Sequence, residues 1–370
     1  MKQLLGQLFS LTPKQKLTRS YLISLLISIA FALLLGALIM QLSGHSPIES
    51  YSALIKGSLG KPRAIGNTLA KTVTLCLCGL AMSVAAKAGI FNVGGEGQLY
   101  LGAMAAAIMG SALTGSPVYI TIIASLLASI LAGALYALIP ALLKVHLKVD
   151  EVITTIMLNS VAIYLCSYLA NGPLKTTERG IASGTAIIDK NADFSSLIPL
   201  SNLNQGIFLA AIATLLVWYL MKRSSVGFEM RLAGDNPRFA DYCGLPTGKL
   251  MLWGMILSGA LCGLVGMLEV FGLHKRFVTT LSNEFYFDGM LVAMIMRYQP
   301  VGVVLMSFFF AILSIGGKAM ELSAGVSSEL IIIIQSTIIF VMAAEGGIRK
   351  RFEQWRTIQQ LKKQKKLEVS

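Results

Sequence analysis

Between Gly97 and Leu143 the chain carries no Asp, Glu, Lys or Arg. A run of this length is too apolar for a water-soluble surface. It is long enough for two membrane helices of about 20 residues each. Gly115-Ser116-Pro117 divides it, as a turn would. The whole chain extends the pattern. Charged residues make up 13% of its 370 residues, where a soluble domain carries roughly 25%. A solvated globular enzyme is therefore excluded.

Apolar runs at about 20–42, 68–90, 99–114, 118–143, 152–170, 205–221, 250–272, 286–296, 300–316 and 327–344 predict about ten transmembrane helices. Some are short or broken, so the expected fold is an all-α polytopic membrane protein. An even number of crossings puts both termini on one side. On this topology 21 of the 31 Lys and Arg fall on the side of the termini. The positive-inside rule makes that side the cytoplasm. The net charge of +13 then reads as an orientation signal, and no nucleic-acid partner is expected. Residues 1–19 form a basic N-terminus, with Leu4, Leu5, Leu8 and Phe9 on one helical face, suited to lying on membrane lipid. Residues 20–345 form the transmembrane domain, with an outer loop at 171–204 and a cytoplasmic loop at 222–249. Residues 346–370 form a basic cytoplasmic tail. The five cysteines and three histidines have no chelating spacing, so neither a disulfide framework nor a metal site is expected.

Packing signals concentrate in the seventh span. Gly254, Ser258, Cys262 and Gly266 recur every four residues, beside Gly259 and Gly263. Small residues at this spacing let helix backbones approach closely, so the span should be buried between other helices. The stretches Gly102–Gly133 and Gly289–Gly317 each pass a proline turn between two apolar runs. They are candidates for inverted repeats, which are common in transporters.

Two polar constellations stand out. The first is Gly89-Ile-Phe-Asn-Val-Gly-Gly-Glu-Gly-Gln98. Its glycines break a helix at membrane depth, where freed backbone groups need protein or water. Asn92, Glu96 and Gln98 cluster at the break, and Asn159 and Asp288 are further polar groups inside or entering spans. They are candidates for lining a translocation path, or for shaping the helix ends beside it; an ordinary cytoplasmic turn is the plainer alternative. The second lies in the cytoplasmic loop. Asn236-Pro237 is a helix start, Arg238 to Cys243 the helix, and Gly244 its stop. Phe239, Tyr242 and Cys243 share a face. A helix of two turns does not persist alone, so it docks on its own membrane domain or in a partner's groove. Gly244-Leu-Pro-Thr-Gly-Lys249-Leu is one residue short of a phosphate-binding P-loop and lacks the hydroxyl after Lys.

Phe91-Asn-Val-Gly-Gly-Glu-Gly-Gln98 with Leu101-Gly-Ala103 resembles the signature of permease subunits of ATP-binding cassette (ABC) importers for nucleosides and simple sugars, a family related to branched-chain amino-acid permeases. Glu151-Val-Ile-Thr-Thr-Ile-Met-Leu-Asn159, Ala233-Gly-Asp-Asn-Pro237, Tyr242-Cys-Gly244, Ser258-Gly-Ala-Leu-Cys-Gly263, Phe287-Asp-Gly289 and Pro300-Val-Gly302 agree in order. The likeness covers about residues 60–345 and is closer to the nucleoside branch than to ribose-type permeases. Met296 departs from it, since a small residue is more usual there. The resemblance implies a non-enzymatic permease in the bacterial inner membrane, without catalytic residues or a cofactor of its own. ATP and Mg would be bound by a cytoplasmic ABC ATPase that contacts Asn236, Pro237, Arg238, Phe239, Tyr242 and Gly244. A second, non-identical permease and an extracytoplasmic substrate-binding protein would complete the system. A simple-sugar permease, an ion-coupled secondary transporter and a channel are the alternatives.

Overall fold

The computed structural model describes residues 13–176, 184–342 and 344. Residues 1–12 of the basic N-terminus, residues 177–183 of the expected outer loop and the basic tail lie outside these residues. The described residues form helices and connections. Seven helices are long and apolar enough to cross a membrane. They are α1 (Pro13–Leu42, apolar from Ile23), α3 (Pro62–Lys87), α5 (Val118–Leu147), α6 (Glu151–Asn171), α7 (Gly206–Arg223), α10 (Thr247–Glu269, continued by a π-helical turn Val270–His274) and α12 (Pro300–Ala324). Between them lie α2 (Pro47–Leu59), α4 (Gly95–Ala112), α8 (Ser225–Asp235), α9 (Pro237–Tyr242), α11 (Phe285–Ile295) and α13 (Glu329–Met342). Each expected span coincides with a helix. α4 opens on Glu96 and Gln98, yet two-thirds of its residues are buried inside the protein.

The chain divides into two compact units, residues 1–54 with 317–370 and residues 55–316. In the first, Tyr51 donates to the Leu33 carbonyl at 2.6 Å and Ser28 to the Met342 sulfur at 3.3 Å. An open groove of about 650 Å³ lined by Phe31, Leu35, Ile332 and Phe340 has the apolar character of a lipid-facing surface.

The second unit is built around α10, which packs against α3, α4 and α5. Its two rows of small residues make this possible. A Cβ at Gly263 would collide with the Ser129 carbonyl of α5, and one at Gly259 with Ala137 and the Gly133 carbonyl. Gly102 of α4 meets the Gly263 backbone, and Gly266 meets the backbone of Leu99 and Ala103. Gly254 meets Ala88, while Cys262 is fully buried. These are backbone-to-backbone contacts of the kind that hold membrane helices together. α11 crosses α3 the same way, Gly289 against Cys78 and Gly79.

On one side of this unit, residues 184–194 run beside 271–277. Thr185, Ile188 and Phe194 donate their N–H groups to the carbonyls of Phe277, Lys275 and Phe271 at 3.0–3.1 Å. Lys275 pairs with Asp193 at 3.0 Å. Asp189 accepts from the Gly115 and Asn191 N–H groups, which hold its carboxyl below the ordinary carboxylate range. This belt and the loop Ser224–Pro246 lie at opposite ends of α7. At Met296-Arg297-Tyr298 the chain turns through positive φ at both Arg297 and Tyr298, and Met296 lies against Gly302.

Candidate functional site

α3 stops where glycine allows it. Gly89 has φ +84°, its N–H bonds the Ala86 carbonyl at 3.1 Å, and the N–H of buried Ile90 bonds the Ala85 carbonyl at 3.2 Å. This paired arrangement is a Schellman stop. The chain then runs without helix through Phe91, Asn92 and Val93, and α4 begins at Gly95.

The break is satisfied by protein side chains. Asn92, wholly buried, accepts from the Gly94 N–H at 2.9 Å through Oδ1. Its Nδ2 donates to Gln98 Oε1 at 2.9 Å and to Ser258 Oγ of α10 at 2.8 Å. Gln98 Nε2 returns a bond to Asn92 Oδ1 at 3.2 Å. Asn159 of α6 bridges the far side, accepting from the Gly97 N–H and donating to the Val93 carbonyl, both at 2.8 Å. The Tyr286 hydroxyl donates to the Asn92 carbonyl at 2.6 Å. An unmet buried polar group costs about 1–3 kcal/mol, so this closed set fixes the geometry of the break. Gly95 lies against the Tyr286 ring and Gly97 against Asn159 and Ala162, where side chains would collide.

Glu96 serves another helix. Its Oε2 accepts from the Tyr286 N–H at 3.0 Å, and Ser282 also hydrogen-bonds it. Ser282 Oγ accepts from the Phe285 N–H at 3.2 Å. Glu96 thus caps the N-terminus of α11 from across the interface, where an acceptor also meets the positive end of the helix dipole. Asn92, Glu96, Gln98 and Asn159 are therefore all buried and hydrogen-bonded at helix ends. Ser258, expected only to pack, is also a polar partner of the break.

Asp288 sits apart, half-buried near the start of α11, in the electrostatic neighbourhood of Lys71 and Glu284. The Lys71 Nζ stands 3.7 Å from the Phe285 ring centre, a cation–π contact. Close by in sequence, Thr74 donates to buried Glu269 at 2.6 Å. Glu269 immediately precedes the π-helical turn. Lys71, Thr74, Ser282 and Tyr286 had no distinguishing signal in the sequence, because each acquires its partner from a distant helix.

The loop after α7 folds into α8 and α9. Asn236 accepts from the Phe239 N–H at 3.1 Å, and Pro237 opens the helix. Gly244, at φ +77°, donates to the Asp241 carbonyl at 2.9 Å, and Leu245 to the Ala240 carbonyl at 3.0 Å, a second Schellman stop. Ala240 turns inward, while Phe239 is half exposed and Tyr242 is 91% exposed. α8 joins this helix to the break. Gly234 lies so close to Lys87 and Gly89 that its Cβ would sit 2.5 Å from the Lys87 carbonyl and 3.0 Å from the Gly89 nitrogen.

Residues 64–342 match the family described as branched-chain amino acid transport system / permease component. The chain belongs to this family. The permease is also 35% identical over 336 residues to the guanosine ABC transporter permease protein NupP of Bacillus subtilis, covering 89% of this chain and 95% of that one. It is 31% identical to the nucleoside ABC transporter permease protein NupB of Lactococcus lactis, covering 89% and 92%. It is likewise 31% identical to the glucose ABC transporter permease protein TsgB13 of Haloferax volcanii, covering 88% of each.

Proposed function

We propose that this permease is the membrane-spanning subunit of an ABC importer that carries nucleosides across the bacterial inner membrane. The observation that carries the reading is the fixed link between an exposed cytoplasmic helix and the broken segment. α9 presents Phe239 and Tyr242 outward, as a knob for a partner's groove. α8 rests on the end of α3 through Gly234, Lys87 and Gly89 without an intervening side chain. A displacement of α9 by a cytoplasmic ATPase therefore reaches the break, and through Glu96 it reaches α11. That is a route by which ATP hydrolysis could drive alternating access.

In this scheme the chain does no bond chemistry. ATP and Mg reside on the separate ATPase. A second permease completes the path and an extracytoplasmic binding protein delivers substrate. Asn236, Pro237, Arg238, Phe239, Tyr242 and Gly244 form the ATPase contact. Asn92, Glu96, Gln98, Asn159 and Asp288 belong to the substrate path or to the helix ends beside it. The likeness to TsgB13 supports a simple-sugar cargo as the second reading. Uptake of labelled guanosine in competition with unlabelled uridine, guanosine and ribose separates the two. Labelled guanosine enters and unlabelled uridine competes while ribose does not if the cargo is a nucleoside, whereas no labelled guanosine enters if it is a sugar.

A further inference from the structure

The middle turns of α5 and α7 expose apolar side chains such as Leu131 and Ile212, which suits lipid. α3 departs from this. Lys71 stands about 5 Å from the midpoint of Pro62–Lys87, at 1.5 Å per residue. Ionisable groups at such depth turn to the bundle interior or to a water-filled cavity. Two other helices bring side chains to it. From α10, buried Glu269 accepts from Thr74, one turn along α3, and lies within electrostatic reach of Lys71. From α11 come the Phe285 ring, 3.7 Å from the Lys71 Nζ, and Asp288, which Lys71 also reaches electrostatically. The contact of Gly289 with Cys78, Gly79 and the Leu75 carbonyl sets α11 at this level. Asp288 is therefore level with the middle of α3, although it lies in the first turn of its own helix.

This constellation differs from the polar groups of the break, which are buried and bonded. Lys71, Phe285 and Asp288 are each half-buried. Among the described residues the Asp288 carboxylate accepts no hydrogen bond and closes no ion pair. A charged group at this depth does not face hydrocarbon, so what meets Asp288 is polar and comes from outside these residues. Two observations tie the place to transport. Tyr286, between Phe285 and Asp288, is bonded to Glu96 and to the Asn92 carbonyl, so the half-open side of α11 is fixed to the break on which α8 rests. Glu269 directly precedes the π-helical turn Val270–His274, and such turns recur at functional sites. The three side chains offer complementary chemistry. A carboxylate accepts N–H and O–H donors, an ammonium donates to carbonyl and hydroxyl oxygens, and an aromatic ring gives a base a stacking face.

We infer that Lys71, Phe285 and Asp288 line a water-filled transit site for a planar solute bearing N–H and O–H donors, of the nucleoside class. The site rests on the importer reading given above.

The test uses the complete importer in nanodiscs for labelling and in membranes for uptake. Asp288→Cys should react with a water-soluble maleimide above the level of the parent chain, whose exposed Cys243 sets the background. Glu284→Cys places a thiol at an exposed position one turn from Asp288. Guanosine should slow its labelling at least threefold, and adding Asp288→Leu should remove that protection. Uptake of labelled guanosine should fall at least tenfold in Asp288→Leu and by less than about fivefold in Asp288→Asn, which keeps an acceptor oxygen. Co-purification of the ATPase and of the second permease should be unchanged in every variant. No added labelling at position 288, or labelling at position 284 that guanosine does not slow, overturns the inference. So does uptake by Asp288→Leu within twofold of the parent. Loss of the second permease on purification of Asp288→Leu would make the place a contact between permeases and would also overturn it. All these results leave nucleoside import by the parent intact. Failure of the parent importer to take up guanosine would instead remove the reading on which the site rests.

Discussion

Replacing Glu96 by Ala removes the acceptor that caps α11 from another helix. The Tyr286 N–H, now 3.0 Å from Glu96 Oε2, is left without that partner in a buried site, at a cost of about 1–3 kcal/mol. Loss of the favourable interaction with the helix N-terminus adds about 0.5–1 kcal/mol. The sum is about 1.5–4 kcal/mol, or about 13- to 800-fold in the opening equilibrium of the first turn of α11. Glu96→Gln keeps an acceptor oxygen and should cost about 1 kcal/mol or less. Hydrogen exchange of peptides covering Phe285–Ile295, measured on the purified protein in nanodiscs, reads the difference directly. The Ala variant should exchange faster there by at least about tenfold, with the Gln variant near the parent. Helices α5 and α7 should be unchanged. Equal protection of this segment in parent and Glu96→Ala would refute the capping role and return Glu96 to an ordinary turn.

Phe239→Asp combined with Tyr242→Asp should abolish uptake and co-purification of the ATPase while leaving the permease in the membrane; intact uptake would sink the coupling role of α9. Gly234→Val forces a side chain against the Lys87 carbonyl and should separate ATP hydrolysis from transport, lowering nucleoside moved per ATP consumed at least fivefold. Asn236→Ala removes the cap of α9 and should destabilise that helix by about 1 kcal/mol, seen as faster exchange at Phe239 with no change in the second unit's core. For Asp189 the folded-state affinity for protons is lowered by the Gly115 and Asn191 N–H groups. Its contribution is therefore present above the unfolded carboxylate range near pH 4 and is lost as pH falls through the lower folded value. Protection of the Gly115 amide should hold from pH 7 to about 4 and fall below that, and Asp189→Asn should remove the pH dependence.

What could be read in the sequence was local. The ends of α9 follow from Asn236-Pro237 and from Gly244, because caps and stops act within a few residues. The small-residue rows of α10 were readable for the same reason: their spacing alone places Gly259 and Gly263 on one face. The break at 89–98 was visible as a cluster of glycines, but what closes it was not. Tyr286 and Ser258 are supplied by distant helices, and nothing at those positions marks them as partners of Asn92. Path lining and end shaping call for the same residue types, so the sequence does not separate them. Asn92, Glu96, Gln98 and Asn159 prove to be buried and bonded.

The central claim is that this permease moves nucleosides only when an ATPase drives it. Proteoliposomes containing the permease, its partner permease and the ATPase, supplied with the binding protein outside and ATP inside, test it directly with labelled guanosine. The account predicts uptake that stops when ATP is replaced by a non-hydrolysable analogue or when the ATPase is left out. Guanosine accumulation by the permease alone, without ATP and following an imposed proton or sodium gradient, would contradict it.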